Sequence, residues 1–510
     1  MATGDSELPL AEFPAAISVY PEVSGSRVEQ REALRSRDFG DMESAGRDSF
    51  ASVVDNERRV SGVPPQYVTD ASGFRGFADQ VFIPANEAEV VAFLRVANEQ
   101  RIPITVAGAG SGLTGGRVAQ GGCVLSLEKF RRLEIGEGSA RVGAAARLFE
   151  IRDAAAPSHQ FFAPDPTEIT ASVGGAIATN ASGSRSFRYG STRRHIRALR
   201  VALMNGTVRD YRRGDKVDFP VPFVPAPNTT KNTAGYRLEP GMDWVDLFCG
   251  SEGTLGVVLE AEIALLPIPG DLFAGVVFLP SDEHALAAVD AWRTCHGLRM
   301  LEYVDRNSLR LLAGRYPEIP AEAGAALLFE AEAADLEDWE SRLTSAGALI
   351  DASWFATGPK DRERFRAFRH SLPELVIETV VRRGFLKMGT DYAVPIERNR
   401  DMLAFYRKRL EETLPGRYVI YGHIGDAHVH VNMLPGNAEE ADAASALLDE
   451  FARQAIVLGG TISAEHGLGK RKAKLLPLQH TAEQIEAMKA VKRRLDPYWL
   501  LGRGTIFVEP

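Results

Sequence analysis

Apolar residues recur along this chain in two rhythms, and the elements they predict change character once. From Val81 the run VFIPA reads as a buried strand. The following NEAEVVAFLRVANEQ carries apolar residues at helical spacing, with Val90, Val91, Leu94 and Ala97 on one stripe. PITVAGAG, CVLSL and ARVGAAA read as further short strands, with a helix near Leu148. IRALRVALMNGTVRDY reads as a hairpin turned at Asn205-Gly206, a pair that accepts the left-handed backbone of a tight turn. This first body closes near Pro269-Gly270. From residue 271, strands such as FAGVVFLP and GAALLFEAE alternate with helices such as DEHALAAVDAWRTC and LEDWESRLTSAG. That rhythm predicts an antiparallel sheet covered by helices. The fold class is therefore α+β. It divides into an N-terminal extension (1–60), a first body (61–271), a second domain (272–460) and a glycine-rich, basic tail (461–510).

Composition narrows the function classes. A length of 510 residues suits two or three domains, and the balance of apolar and charged residues is that of a soluble globular protein. The net charge of −9 argues against nucleic acid as a partner, because phosphate binding needs a basic surface. No apolar run approaches the roughly 20 residues that span a bilayer. The start, MATGDSELPLAEF, lacks a basic segment followed by an apolar one. The expected location is the cytoplasm, with the inner face of a membrane as a peripheral alternative. Cys123, Cys249 and Cys295 form no CxxC pair, which argues against a disulfide framework and an iron–sulfur cluster. Any electrons handled here must sit on something else.

Glycine supplies the next clue. Gly110-Ser111-Gly112-Leu113-Thr114-Gly115 matches GxGxxG after a strand, yet only RVAQ separates Gly116 from Gly121. A dinucleotide-binding turn of the Rossmann type must open a helix there, and there is no room for one. What remains is a loop dense in unobstructed backbone N–H groups, suited to wrapping phosphate. A second tract, SVGGAIATNASGSRSFRYG, offers Gly174, Gly175, Ser182 and Gly183. A third, CGSEGTLGVV, offers Gly250, Ser251, Gly253 and Thr254. Three such tracts in one domain point to a large cofactor containing a diphosphate.

The chemistry concentrates in YGHIGDAHVHVN (Tyr421 to Asn432) and SAEHGLGK (Ser463 to Lys470). If HVHVN is extended, alternation places His428, His430 and Asn432 on one face and Val429, Val431 and Met433 on the other. Gly422 and Gly425 mark a turn that brings His423 back over the same face. Two imidazoles and a carboxylate hold a divalent ion and leave coordination positions open.

These segments resemble the FAD-linked D-2-hydroxy-acid dehydrogenases of the vanillyl-alcohol-oxidase superfamily. That group includes D-lactate dehydrogenases, the glycolate oxidase flavoprotein subunit and D-2-hydroxyglutarate dehydrogenases. The resemblance runs through PITVAGAGSGLTGG, GGAIATNASGSRSFRYG, KNTAGY (Lys231 to Tyr236), CGSEGTLGVV, GHIGDAHVHVN, ISAEHGLGK and LDPYWLLGRG, in the family's order. It implies a split, PCMH-type FAD-binding domain, a substrate-binding cap over 272–460, and a tail from Thr461 returning to the FAD domain. By position, the loop from Gly108 to Gly116, with Ala109, Gly110, Ser111, Gly112 and Gly115, would hold the pyrophosphate. Pro164, Thr167, Gly174, Gly175, Ser182 and Gly183 would line flavin and phosphates, with Gly253 in the third tract and Val257 near the adenine.

The resemblance also implies roles at the second site. His423, His430 and Glu465 would bind a divalent metal (zinc, manganese or iron), His466 would take the substrate hydroxyl proton, and Asn432 would bind substrate. Arg369, in FRHSLPE before a helix, and Lys387, in FLKMGTDYAVP, match substrate-binding cations; for either, an ordinary surface cation is the alternative, and the distance from Lys387 to Asp391 is longer than in the hydroxyglutarate group. Three positions depart from the family's pattern. Pro373 stands where the hydroxyglutarate group carries a hydroxyl residue, Ala427-His428 replaces Gly-Asn, and Gly502-Arg503-Gly504 replaces Asn-Pro-Gly. His428 is counted with the substrate-binding residues, with metal ligand or neighbour of ligands as alternatives.

The expected function is oxidation of a D-2-hydroxy acid (lactate-like, glycolate or 2-hydroxyglutarate) to the 2-oxo acid. Hydride would pass to flavin N5 and electrons to an external quinone, electron-transfer protein or partner subunit. A homodimer is also expected. The alternatives are an oxidase delivering electrons to dioxygen, a non-redox metallohydrolase built on the histidines, and a non-catalytic FAD-binding subunit.

Overall fold

The computed structural model of the chain describes residues 59–60, 62–332 and 336–508. The extension expected over 1–60 lies outside them apart from Arg59–Val60, a two-residue strand.

The first body holds two main sheets. In one, Gln80–Phe82, Cys123–Ser126 and Ile104–Ala107 pair in parallel, with Arg59–Val60 antiparallel at the edge. Parallel pairing needs a crossover, and the helix Glu87–Gln100 provides it. Asn86 caps that helix by accepting the amide of Glu89, and Arg101 ends it in the left-handed region. Its buried stripe is Val90, Phe93, Leu94 and Ala97. Val91 is only half-buried, because the Phe93 ring stacks on Phe82 at 4.6 Å and takes that side of the helix. From Gly108 to Gly122 no helix forms, so the GxGxxG match is a loop. The other sheet is antiparallel, in the order Leu133–Gly136, Ser139–Gly143, Val257–Ala264, Ile196–Ala202, Val208–Arg212. Its hairpin turns at Gly206, φ +78°.

The second sheet system is the expected antiparallel one. Its order is Trp354–Ala356, Leu272–Leu279, Ala325–Glu332, Leu298–Asp305, Tyr418–Gly422, His430–Met433, Met388–Gly389. Both faces are covered. On one, Val276, Phe278, Val304 and Leu328 pack against Phe365, Phe368, Leu372 and Val376 of the long helix Pro359–Arg382. On the other, Phe329 stacks on Trp339 at 4.1 Å. Burial on both faces leaves these central strands little freedom to move.

The tail is stitched to the first body. Leu501 bridges Ile104, and the amide of Gly502 donates to the Ile104 carbonyl at 2.8 Å. Lys492, 1% exposed, donates to the carbonyls of Thr254 and Leu501 and pairs with Asp496 at 2.8 Å. Glu252, in the third glycine tract, accepts the amides of Leu468 and Gly469, each at 2.8 Å. Among the described residues no helix is long and apolar enough to cross a membrane.

Burial raises the Glu252 carboxyl to about 7, against the opposing pull of those two amides. Its folded value lies above the unfolded one, so the native state holds a proton that the unfolded chain gives up. The associated stability is full below about pH 4.5 and is lost as pH rises through about 7. Replacing Glu252 with Gln should flatten this part of the profile. Thermal melts between pH 4.5 and 7.5 check it: wild type should lose stability over this range faster than Glu252→Gln, and equal slopes would refute the assignment.

Candidate active site

The hairpin Tyr418–Gly422 and His430–Met433 carries the histidines, with Tyr421 paired to His430. Gly422, φ +129°, ends the first strand, one 3-10 turn follows over Ile424–Asp426, and Ala427 takes a left-handed φ of +50°. This reversal brings the His423 ring to 5.6 Å from His430 and 5.4 Å from His428. The second strand begins at His430, so the extended run is shorter than alternation from His428 predicts. His428 sits in the loop before it because Ala427 breaks the extended backbone. Its ring still lies 4.6 Å from His430, while Val429, Val431 and Met433 enter the core.

Glu465 arrives on the tail. Its two oxygens lie 3.4 Å from His423 Nε2 and 3.3 Å from His430 Nε2. The other nitrogen of each ring is engaged: His423 Nδ1 with Glu302 Oε1 at 2.6 Å, and His430 Nδ1 with the Thr390 carbonyl at 3.0 Å. An imidazole that donates from Nδ1 presents its lone pair at Nε2, the form that binds metals. His423, His428, His430 and Glu465 each offer a donor atom, all within 4.8 Å of one another. Donors about 2.1 Å from one ion stand about 3–4 Å apart, so this set fits a divalent cation after small adjustments.

Two buried carboxylates organise the surroundings. Glu465 receives Lys231 Nζ at 3.3 Å and Ser182 Oγ at 3.2 Å, and Lys231 also pairs with Asp426 at 3.4 Å. Burial alone would raise Glu465, but Lys231 and His423 outweigh it and hold the group well below the usual range. Asp391, 1% exposed, receives Lys472 at 2.8 Å, Ser463 Oγ at 2.9 Å and the amides of Glu465 and His466. Burial opposes its charge as well, yet His466 and Lys472 keep it well below the usual range. Glu302 bridges His423 and Arg369, the latter at 2.6 Å.

His466 places Nδ1 3.5 Å from Asp391 and Nε2 3.6 Å from Glu465, with its ring parallel to His430 at 5.5 Å. Burial pushes it down to about 4, so it is neutral near pH 7, and its side chain remains 24% exposed. Arg369 lies within the helix Pro359–Arg382, not before one. Pro373 sits inside that helix and has no N–H to offer the Arg369 carbonyl four residues back. The Arg369 guanidinium bonds Glu302 and Thr167 Oγ1. Lys387 is half-buried and makes no ion pair among the described residues; burial lowers it while Glu465 and Asp391 pull the other way. Both amide atoms of Asn432 are buried without a hydrogen-bond partner among the described residues.

The glycine tracts converge. Ser172 Oγ accepts the amides of Ala109 and Gly175, and a Cβ on Gly108 would lie 2.8 Å from that oxygen and 3.9 Å from Gly175. Glu252 and Gly469 border Gly116. Such bare backbone from several tracts is what a diphosphate cofactor needs. Pro164 and Gly183 meet through Ser186, Gly174 packs against Ala144, Gly253 has φ +71°, and Val257 is fully buried at the start of its strand. Ser182 turns toward Glu465.

Residues 78–212 match the family described as FAD binding domain, and residues 272–506 match FAD linked oxidases, C-terminal domain. The D-lactate dehydrogenase of Archaeoglobus fulgidus is 32% identical over 83% of this chain and 90% of its own length. The glycolate oxidase subunit GlcD of Bacillus subtilis is 30% identical, covering 86% and 90%. A D-2-hydroxyglutarate dehydrogenase of Xanthomonas citri pv. viticola is 30% identical, covering 84% and 89%. Among solved structures, an alkyldihydroxyacetonephosphate synthase superposes with a TM-score of 0.65 at 14% identity, over 90% of this chain and 84% of that one, and so shares the fold.

Motif reading does not reveal Glu302, Lys231, Asp391 or Lys472 as site residues. One signal exists: Glu302 is a carboxylate in mid-strand, set between Leu301 and Tyr303 in LRMLEYVD. Removing the Asp391 carboxylate strands Lys472 and two histidines in a buried setting. Asp391→Ala should therefore destabilise the protein by about 3–5 kcal/mol. Urea unfolding checks this, and a change under about 1 kcal/mol would contradict the network.

Proposed function

This chain belongs to the FAD-linked oxidase family, as an FAD-binding oxidoreductase of the D-lactate, glycolate and 2-hydroxyglutarate dehydrogenase type. From that premise we propose that it oxidises a D-2-hydroxy acid to the 2-oxo acid and passes the electrons to an external acceptor. One observation carries the reading: His423 Nε2, His430 Nε2 and the Glu465 carboxylate face one another beside a neutral, part-exposed His466.

In this reading residues 61–271 bind FAD, 272–460 supply the substrate-side groups, and 461–510 bring Glu465 and His466 to both. FAD, cradled by Gly108 to Gly115, Pro164, Thr167, Gly174, Gly175, Gly183, Gly253 and Val257, supplies the acceptor for the α-carbon hydride. A divalent ion (zinc, manganese or iron) on His423, His430 and Glu465 supplies Lewis acidity toward the substrate hydroxyl.

The chain's own groups do the rest. His466 takes the hydroxyl proton at Nε2, and Asp391 beside Nδ1 stabilises the imidazolium that results. Asn432, buried near Tyr421, offers its amide donor and acceptor to the entering substrate. Lys387 makes no ion pair among the described residues and offers its ammonium to the substrate carboxylate; Arg369, oriented by Glu302 and Thr167, offers its remaining N–H groups. The three cysteines, Cys123, Cys249 and Cys295, form no CxxC pair that would hold a cluster, so the electrons leave to a quinone, an electron-transfer protein or a partner subunit. A metallohydrolase would leave the FAD-binding domain without a task.

An anaerobic visible spectrum of the purified protein, titrated with D- and L-2-hydroxy acids, tests the reaction. The flavin should bleach with a D-acid, whereas a protein that cannot be reconstituted with FAD would overturn the reading. In His466→Ala, FAD should be retained and flavin reduction slowed by about 100-fold or more; normal reduction would remove its role as base. His430→Ala should lose the metal in elemental analysis and keep the flavin, and unchanged metal content would refute the ligand assignment.

A further inference from the structure

The reading above leaves His428 without a task. The residue is 0% exposed, and its Nδ1 makes no hydrogen bond among the described residues. A buried polar atom left without a partner is costly, so Nδ1 calls for a partner that the described residues do not supply. The surroundings point to that partner. Nε2 lies 3.3 Å from Asp391 Oδ1, and Nδ1 faces Glu465 Oε2 at 4.0 Å. This repeats the arrangement of His423 and His430: one nitrogen toward an oxygen acceptor, the other toward Glu465. The backbone adds an independent sign. Ala427, immediately before, is held at a left-handed φ of +50°, a conformation that disfavours any residue with a Cβ and that commonly persists where a neighbouring side chain must be aimed.

We propose that His428 is a fourth protein ligand, so that this chain holds its divalent ion with three imidazoles and one carboxylate. The proposal rests on the metal reading given above. His428 lies behind the opening, since His430 is 14% and His466 24% exposed while His428 is sealed. It therefore serves the ion and not the substrate. The additional ligand bears on which ion is useful. Four protein donors fill a tetrahedral zinc site and leave no place for substrate. An ion that accepts six donors, manganese- or iron-like, keeps two further positions, enough for the hydroxyl and carboxylate of a 2-hydroxy acid.

The test counts imidazoles directly. In the full-length, FAD-bound protein loaded with Co(II), each coordinated histidine whose other nitrogen carries a proton gives one hyperfine-shifted, solvent-exchangeable proton resonance. Three such signals are expected in the wild type and two in His428→Asn, whose flavin absorbance reports that it has folded. The wild-type count decides the matter even if the variant does not fold. Two signals in the wild type would overturn the fourth ligand and leave the metal reading standing. Absence of bound cobalt by elemental analysis, with no shifted signals, would overturn both.

Discussion

Two carboxylates, Asp391 and Glu465, sit almost out of reach of water, and the effective cost of burying such charges is several kcal/mol each unless donors surround them. The donors come from places far apart in the chain. Ser182 and Lys231 belong to the first body, His423, His428 and His430 to the edge of the seven-stranded sheet, and Ser463 and Lys472 to the tail. Satisfying two charges therefore pins three parts of the molecule together. Glu302 extends the same logic outward by joining His423 to Arg369 on the long helix. Stability and site geometry are consequences of one set of interactions.

The scaffold gives that cluster its rigidity. The strand Tyr418–Gly422, which leads into His423 and pairs with the strand of His430, runs beside Leu298–Asp305, whose side chains are buried on both faces, so packing holds the backbone of the hairpin in place. The first body works differently. The surface proposed to face the cofactor is backbone, drawn from loops whose glycines let separate tracts approach closely, and Glu252 ties two amides of the tail beside them. On the proposed reading, side chains thus face the substrate end and main chain faces the diphosphate end. This division suits a protein whose reaction joins a large cofactor to a small acid.

Much of this was legible in the sequence because it depended on local pattern. The helix Glu87–Gln100 and the strands around it follow from spacing. The lack of room after Gly116 excluded a Rossmann turn, and His423, His430 and Glu465 announced themselves by type and proximity to glycine. What sequence could not show depended on distance. Glu302 meets His423 across 121 residues and Lys231 meets Glu465 across 234, and nothing local marks such pairs. The choice of Phe93 over Val91 for the core depended on where Phe82 lay. The passage of a helix through Pro373 depended on the apolar face that Phe365, Phe368, Leu372 and Val376 bury against the sheet, which outweighs the bond that proline cannot make.

The tail's position has a temporal side. Synthesis proceeds from residue 1 at about 5–20 residues per second, and domains generally fold as their residues emerge. Lys231, Glu302, Arg369, Asp391 and the three histidines are all synthesised before Glu465 and His466. A nascent chain can therefore close its glycine cradle and pair its strands while still lacking the carboxylate and the proton acceptor. On the proposed chemistry, a flavin captured at that stage would be reduced by substrate only slowly. Electron release would then gather speed only once the tail that completes the site has docked.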